Sequence, residues 1–397
     1  MLNQRLEQLK DYPFQRLREL LAGITPPAGL EPIVMSIGEP QHAYPDFVGE
    51  VLHQHRHLYG KYPPLAGTEE FRQAVADWLT RRYRLPPGMI SAERNLLPLS
   101  GTREGLFMIA LVAVPESKQG QRPAVAMPNP FYQCYVGAAN AAGAEAIFMP
   151  ALTQNGFLPD FAGLPKEVLA RLAMVYLCSP ANPQGTVADL AYLERLIGLA
   201  RAHDFVVVVD ECYTEIYDRV PPPGALEACA RMGGSLQNVM VFHSLSKRSS
   251  VPGLRSGFCA GDGDLIAAFA KLRSYGAAGM PLPLLAASTA LWRDEAHVDA
   301  NRALYREKFA IAESIIGNRF GFYRPPGGFF LWLDVGDGET AARKLYAEAA
   351  VTTLPGRYLT REGEHGEEAG RPYLRVALVQ DAGKTRAAME RIRDTLG

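Results

Sequence analysis

Short apolar runs alternate with amphipathic segments through the middle of the chain. Residues 67–83 place Phe71, Val75 and Leu79 four positions apart, which predicts an amphipathic helix. Residues 189–203 predict a second helix. The apolar runs predict strands at 124–127, 146–149, 174–178, 205–209, 239–242 and 257–260. Several runs are apolar throughout, as in strands buried on both faces of a parallel sheet, so we predict an α/β fold with a mostly parallel sheet.

The pattern changes in the C-terminal part of the chain. A long helix is predicted at about 293–318, followed by a Pro/Gly turn and a strand at 329–335. A helix near 339–349, a strand at 373–379 and a last helix complete this part. We therefore predict a large α/β domain and a smaller α+β domain. The predicted division is an N-terminal arm that belongs partly to the small domain (1–45), the large domain (46–285) and the small C-terminal domain (286–397).

Composition supports a folded globular chain. Of the 397 residues, 48% are hydrophobic and 21% are charged, which argues against disorder, a collagen-like repeat or a coiled coil. The net charge of −1 gives no reason to expect nucleic acid or a membrane surface as a partner. The five cysteines show no CxxC spacing and are interpreted as small core side chains. With no signal-peptide pattern and no run of about 20 apolar residues, we expect a soluble, cytoplasmic protein.

Polar side chains follow three of the predicted strands. Asn182 follows the strand at 174–178, Asp210 comes directly after 205–209, and Lys247 follows 239–242. Because ligands of open α/β sheets bind outside the carboxyl ends of the strands, we expect these three residues to share one crevice. Asp210 alone would also suit a helix N-cap, and a lone lysine is most often a surface residue.

This set of groups suits one cofactor. A lysine in a cleft can form a Schiff base with a carbonyl cofactor, and a nearby carboxylate keeps a pyridine nitrogen protonated. Pyridoxal phosphate also needs donors for its phosphate. Candidates are Ser244, Ser246 and Arg255, together with backbone groups of Ser100, Gly101 and Thr102 ahead of a predicted helix. The alternating His53, His55 and His57 lack an accompanying acid or cysteine, so no metal site is predicted.

The ordered motifs SIGEP, NPFY, NPQG, DECY, SLSKRSSVPGLR and YLRVALV resemble those of fold-type I pyridoxal-phosphate aminotransferases of classes I and II. The resemblance spans nearly the whole chain and implies an aspartate-aminotransferase-like fold and a homodimer with shared active sites. It implies that Lys247 holds the cofactor covalently and transfers a proton, and that Asp210 pairs with the ring nitrogen. Tyr213 and Asn182 would then bind the phenolic oxygen, and Tyr132 would stack on the ring.

The same resemblance assigns the anion-binding residues. The phosphate would be bound by Ser100, Gly101, Thr102, Ser244, Ser246 and Arg255. Tyr62 would reach the phosphate in the neighbouring subunit. Arg375 would bind the substrate carboxylate, because a guanidinium suits bidentate recognition, with help from Asn182 and the backbone of Gly38. Taken alone, Tyr132 would equally suit core packing, Ser246 a turn cap and Arg375 a strand-edge charge.

Four longer stretches, SIGEPQH, GTREGLF, DECYTEIYD and FHSLSKRSSVPGLRSGFCAGD, are similar to the N-succinyldiaminopimelate aminotransferases of bacterial lysine biosynthesis. This implies transfer of the amino group of glutamate to N-succinyl-2-amino-6-oxopimelate, giving N-succinyl-LL-diaminopimelate and 2-oxoglutarate. The alternatives are aminotransferases for N-acetylornithine, alanine, aspartate or aromatic substrates. A carbon–sulfur lyase and a non-catalytic cofactor-binding regulator are further alternatives.

The sequence leaves the roles of three residues near these motifs open. Arg103 suits either an anionic substrate or a salt bridge, and Arg357 suits either an acidic substrate tail or a solvated surface. His42 lies beside the SIGEP motif, where either substrate contact or hydrogen-bonded packing is expected. The charged run at 360–371 predicts an exposed loop that could act as a lid.

Overall fold

The computed structural model describes residues 4–363 and 368–397. The strands are β1 (Ile33–Val34), β2 (Leu96–Leu99), β3 (Ala124–Asn129), β4 (Glu145–Pro150), β5 (Leu172–Cys178), β6 (Val206–Asp210), β7 (Val239–Ser244), β8 (Gly257–Gly261), β9 (Phe330–Asp334), β10 (Val351–Thr352), β11 (Leu354–Pro355) and β12 (Tyr373–Ala377). The helices are α1 (Pro13–Leu21), α2 (Phe47–His55), α3 (Glu69–Tyr83), α4 (Thr102–Met108), α5 (Ala110–Ala113), α6 (Gln133–Ala141), α7 (Lys166–Arg171), α8 (Leu190–His203), α9 (Ala225–Arg231), α10 (Leu245–Arg248), α11 (Gly263–Gly276), α12 (Leu282–Arg293), α13 (Ala296–Ile316), α14 (Gly338–Ala349) and α15 (Ala382–Leu396).

A seven-stranded sheet forms the centre of the large part, in the order β2-β8-β7-β6-β5-β3-β4. Five neighbouring strands, from β7 to β4, run parallel, whereas β8 is antiparallel to both β7 and β2. Alternate residues of β6 enter two different cores: Val207 and Val209 pack on one face of the sheet, and Val206 and Val208 on the other. This explains the continuous apolar run and confirms the predicted α/β fold with a mostly parallel sheet.

The sequence pattern located most of these elements to within a few residues. Each predicted strand of the large sheet is present, although β6 begins at Val206 and includes Asp210 as its last residue. The pattern missed β2, whose sequence LLPL contains Pro98. Proline is tolerated at a sheet edge, where β2 lies, because an edge strand leaves part of its backbone unpaired.

The smaller part contains two further sheets. Strands β11, β12 and β9 form an antiparallel sheet in that order, and β1 pairs in parallel with β10. The segment around Ile33 thus lies against a strand more than 300 residues later in the chain. Ile33 shares an apolar core with Phe309 of α13 and Leu331 of β9. The N-terminal arm therefore contacts the C-terminal part, while the exact domain boundaries stay a prediction.

The carboxyl ends of three adjacent parallel strands, β5, β6 and β7, lie side by side at one end of the large sheet. Cys178 at the end of β5 pairs in register with Asp210 at the end of β6, and Asp210 pairs with Phe242 of β7. The chain after β7 enters α10, which carries Lys247. In the part of the chain that the structure describes, no helix combines the length and apolar character needed to cross a membrane.

Candidate active site

A cavity of about 450 Å³ opens at this end of the sheet, between the two parts of the molecule. Its lining includes Lys247 and Asp210 from the large part and Arg375 from β12. The predicted site residues that line it are Gly38, Thr102, Tyr132, Asn182, Asp210, Tyr213, Ser244, Ser246, Lys247, Arg255 and Arg375. Most of the sequence-predicted site is therefore assembled around one cavity.

Three predicted residues take other positions. The Ser100 hydroxyl donates a hydrogen bond to the Ala278 carbonyl oxygen at 3.3 Å, and Ser100 is not part of the cavity lining. Gly101 is buried beside the cavity, against the Arg255 guanidinium. Tyr62 is fully exposed, with a relative accessibility of 102%. The phosphate-binding roles of Ser100 and Tyr62 stay predictions.

Lys247 projects from the short helix α10, whose first turn is capped by the Ser244 hydroxyl oxygen accepting from the Ser246 N–H at 3.1 Å. The Lys247 amine donates to the carbonyl oxygen of Gly38. Burial lowers the pKa of Lys247 to about 8. The nearby Cys212 acts to raise this pKa, and the charge of Arg375 lowers it further. The lowered pKa gives this amine a larger neutral fraction near physiological pH than an ordinary lysine has, and the neutral form is the one that attacks a carbonyl.

Asp210 is 5% exposed at the end of β6. Its carboxylate accepts a hydrogen bond from the Tyr135 hydroxyl at 2.7 Å and another from the Cys212 backbone N–H at 3.2 Å. Burial raises the pKa of Asp210, while the hydrogen bonds from Cys212 and Tyr135 act in the opposite direction. These two donors hold the carboxylate in a fixed orientation at the cavity wall.

Sequence reasoning missed Tyr135. It lies one helical turn after Tyr132 on α6, with an edge-to-face ring contact of 5.6 Å between the two rings. Its own ring stacks on Tyr176 at 4.4 Å. The i, i+3 spacing of the two tyrosines was a readable signal, because residues three apart share one face of a helix.

Arg375 lies in β12 with its guanidinium directed at the cavity. It donates to the Asn182 side-chain oxygen at 3.1 Å and to the Ser36 carbonyl oxygen at 2.8 Å. The Asn182 amide in turn donates to the Tyr213 hydroxyl at 3.4 Å. Among the described residues, the buried Nε of Arg375 has no hydrogen-bond partner. A buried guanidinium with an unused donor suits a carboxylate that arrives from outside the protein.

Other residues that line the cavity offer donors for a phosphate, namely Thr102, Ser244, Ser246 and Arg255. Gly101 has a φ of +88°, and a Cβ there would lie 1.9 Å from Nη2 of Arg255, so only glycine allows this close approach. Thr102 begins α4 directly after this glycine, and its hydroxyl lies 3.3 Å from the Cys212 sulfur. The Arg255 guanidinium, the hydroxyls of Thr102, Ser244 and Ser246, and the Lys247 amine together fit pyridoxal phosphate.

Two of the cysteines predicted to be core side chains also line the cavity. Cys178 is buried in an apolar cluster, Cys212 packs against that cluster, and both line the cavity. Cys229 and Cys259 are core side chains as expected, and Cys134 packs against the core. Cys212 follows Asp210 by two residues, and its thiol raises the pKa of Lys247 against the effect of burial. The DECY motif therefore contributes its cysteine to the cavity wall as well as its acid and tyrosine.

The residues whose roles the sequence left open fall into two groups. Arg103 lines the cavity and donates to the Tyr132 hydroxyl. Arg357 does not line it and pairs instead with Glu339 at 3.1 Å and with Glu368, so the structure gives it a structural ion pair. His42 lies outside the cavity and is hydrogen-bonded to other side chains.

The predicted loop at 360–371 is anchored at its start. The Asn129 side chain donates to the Arg361 carbonyl oxygen at 2.8 Å and accepts from the Arg361 N–H at 3.1 Å. Residues 364–367 lie outside the described residues, and the lid stays a prediction. Over residues 4–363 and 368–397, no cluster of three His, Cys, Asp or Glu residues is arranged to hold a metal ion.

Comparison with known proteins defines the class. Residues 31–394 match the family model of class I and II aminotransferases. An LL-diaminopimelate aminotransferase of Moorella thermoacetica is 31% identical over 401 residues, covering 99% of this chain and 98% of the relative. A solved aminotransferase from Neisseria meningitidis is 42% identical, with a TM-score of 0.95 and full coverage of both chains. A probable N-succinyldiaminopimelate aminotransferase of Thermus thermophilus shares the fold, with 24% identity, a TM-score of 0.82 and coverage of 96% of this chain and 97% of that one.

The chain belongs to the class I and II aminotransferases, which confirms the resemblance read from its motifs. It is a pyridoxal-phosphate-dependent enzyme that acts on amino acids and 2-oxo acids. When bound, pyridoxal phosphate supplies an electron sink for the charge that develops at the substrate α carbon.

We predict that Lys247→Ala folds normally but loses amino transfer. The change removes the amine proposed to hold the cofactor and to move the α proton, and it leaves a small side chain in a short helix. Circular dichroism would check the fold, and turnover with glutamate would check activity. Near-normal turnover in this variant would refute the assignment of Lys247.

We predict that Tyr135→Phe weakens pyridoxal phosphate binding by about tenfold or more, because a hydrogen bond to a charged group contributes about 1.5–3 kcal/mol. Without the phenol the buried Asp210 carboxylate loses a donor, and its pKa rises further. Fluorescence titration of the cofactor-free protein measures the affinity.

Tyr176→Phe is the matched control for this variant. Tyr176 stacks on Tyr135, but its hydroxyl donates to the Leu106 carbonyl oxygen at 2.6 Å rather than to Asp210. Equal losses of cofactor affinity in both variants would show that removing either buried hydroxyl weakens binding, and that the hydrogen bond to Asp210 is not specifically responsible.

Proposed function

We propose that this enzyme transfers the amino group of glutamate to a seven-carbon dicarboxylic acceptor of the diaminopimelate series. The specific acceptor expected from the sequence is N-succinyl-2-amino-6-oxopimelate, with N-succinyl-LL-diaminopimelate and 2-oxoglutarate as products. The family assignment favours amino transfer over the lyase and regulator alternatives.

The proposed roles follow the geometry of the cavity. Lys247 moves the α proton as its neutral amine, supported by its lowered pKa. Asp210, held by Tyr135, keeps a positive charge on the ring nitrogen. Asn182 and Tyr213 offer donors for the phenolic oxygen, and Tyr132 offers a ring face.

The observation that carries the proposal is the number of arginines in one cavity. Arg103, Arg255 and Arg375 all line it. Their hydrogen-bond partners are neutral oxygens, on Tyr132, on Pro252, and on Asn182 and Ser36 respectively. No described carboxylate forms an ion pair with any of the three. The phosphate takes Arg255 and the substrate α-carboxylate takes Arg375, so Arg103 remains for a second carboxylate on the substrate.

A second candidate is LL-diaminopimelate itself as the amino-group partner. The Moorella thermoacetica relative carries this substrate in its name. The cavity also exposes Glu39, whose carboxylate suits a free ammonium group at the distal end of the substrate. The succinylated compound has an amide at that position and offers no cation to Glu39.

The proposal includes a homodimer located in the cytoplasm. Tyr62 supports the dimer, because its side chain is fully exposed and lies outside the cavity of its own chain. A second copy that covers this surface would bring Tyr62 to the neighbouring phosphate, as the family resemblance implies.

We expect the cofactor-loaded enzyme to form glutamate from 2-oxoglutarate with N-succinyl-LL-diaminopimelate as donor. Free LL-diaminopimelate, alanine and ornithine serve as comparison donors, and kcat/KM is measured for each. A kcat/KM at least about tenfold higher for the succinylated donor supports the specific acceptor. A preference for free LL-diaminopimelate establishes the second candidate, and low activity with both refutes the diaminopimelate proposal.

Arg103→Gln is expected to raise KM for dicarboxylic donors by about tenfold or more, because it removes a charge-assisted hydrogen bond. KM for alanine should stay within about threefold, since alanine has no second carboxylate. Arg103→Lys keeps the charge and should lose less. An equal change for alanine would show that Arg103 acts on the cavity as a whole.

A further inference from the structure

A second group of polar residues, with Asn301 and Lys308 buried and His42 half-buried, contacts the Lys247 helix outside the catalytic cavity. The Lys308 amine donates to Nε2 of His42 at 2.7 Å, and Nδ1 of His42 lies 2.6 Å from the Asn301 side-chain oxygen. The Asn301 amide donates to the carbonyl oxygens of Lys247 and Arg248, both at 3.2 Å. These contacts form a continuous relay from Lys308 to the backbone of Lys247.

The direction of each hydrogen bond in the relay follows from its end points. Two carbonyl oxygens can only accept, so the Asn301 amide nitrogen must face them and its oxygen must face His42. That oxygen also accepts from the Ser250 hydroxyl at 3.2 Å. His42 therefore donates from Nδ1, and its Nε2 keeps the lone pair that accepts from Lys308. When Lys308 is an ammonium, only neutral imidazole with its proton on Nδ1 completes the relay.

The relay holds two elements of the catalytic cavity in one arrangement. Residues 36–42 supply the Gly38 carbonyl oxygen to the Lys247 amine and the Ser36 carbonyl oxygen to Arg375. His42 ends this segment and reaches the Lys247 backbone through Asn301. The segment is thus joined to Lys247 at both its side chain and its main chain.

We propose that His42 is a positioning residue that fixes the Lys247 helix against residues 36–42, and that its protonation releases this contact. Burial lowers the pKa of Lys308 to about 7, so below that pH this buried residue is an ammonium. Imidazolium would carry a proton on Nε2, facing that ammonium. The two cations would repel each other at hydrogen-bond distance in a poorly solvated position. The relay would then open at its centre.

The surroundings allow His42 to exchange protons with solvent. A separate cavity of about 140 Å³ is lined by His42, Asn301 and His297. Burial and the charge of Lys308 lower the pKa of His42, opposed by its hydrogen bond to Asn301. The other titratable groups that face the relay are Tyr44, Tyr305, His297, Asp381 and Glu307. His297 forms its own contacts, with Asp294 and with the Ser249 hydroxyl.

The test compares His42→Gln, His42→Phe and Lys308→Met in the full-length enzyme. The proposal predicts that kcat of the parent falls at acid pH, when His42 is protonated. Gln can donate and accept without titrating, so kcat of His42→Gln should stay within a few-fold of the parent and this fall should be absent. Phe leaves Asn301 and Lys308 without their partner, so kcat should fall by about tenfold or more. KM for glutamate should stay within about threefold in both variants.

Lys308→Met gives the sharper result. Without the ammonium, protonated His42 meets no opposing cation and keeps its Nδ1–H donation to Asn301, so the fall of kcat at acid pH should disappear, as in His42→Gln. His53→Gln is the matched control, because His53 is exposed and the hydrogen bonds of its ring among the described residues are to the nearby Arg56 side chain. That variant should keep the parent pH profile.

A measurement without the cofactor completes the test. Nitrogen-15 NMR of the histidine rings, with His42 assigned from the spectrum of His42→Gln, should show its proton on Nδ1 at neutral pH. A proton on Nε2 would overturn the proposal. An unchanged kcat in His42→Phe, together with an unchanged fall of kcat at acid pH in Lys308→Met, would also overturn it. The NMR result does not depend on which acceptor the enzyme uses.

Discussion

The Lys247 amine lies at the meeting point of the two parts of the molecule, and its contact with the Gly38 carbonyl oxygen links them. Lys247 belongs to the loop-and-helix segment after β7, whereas Gly38 belongs to the arm that packs on the small sheet through β1. Burial at this position lowers the pKa of the amine to about 8. The chemistry of the amine therefore depends on the two parts being packed together.

The charged side chains Asp210 and Arg375 of the cavity contact neutral groups rather than each other. Asp210 is held at the end of β6 by Tyr135 and the Cys212 backbone, away from any described ion-pair partner. Arg375 is held by neutral oxygens on Asn182 and Ser36. Because neither charge is neutralised by the other, both remain available to a ligand, and the desolvation of each is offset by hydrogen bonds instead.

The sequence predicted much of this site because parallel strands bring their carboxyl ends to one edge. Asn182, Asp210 and Lys247 follow three separate apolar runs, and the sheet places those runs side by side. Periodicity did not predict β2, since Pro98 weakens the strand signal at an edge. Neither did it find Tyr135, whose importance depends on a hydrogen bond across to another element.

The sequence alone determined the α/β fold, the strand-end residues and the family, because these depend on local periodicity and on the order of short motifs. The tertiary structure decided which nearby charges reach the cavity: Arg103 does, while Arg357 is paired with Glu339 and Glu368. It also joined His42 to Lys247 through Asn301, across more than 200 residues of chain. Such long-range contacts are set by how the elements pack, and no local pattern in the sequence encodes their partners.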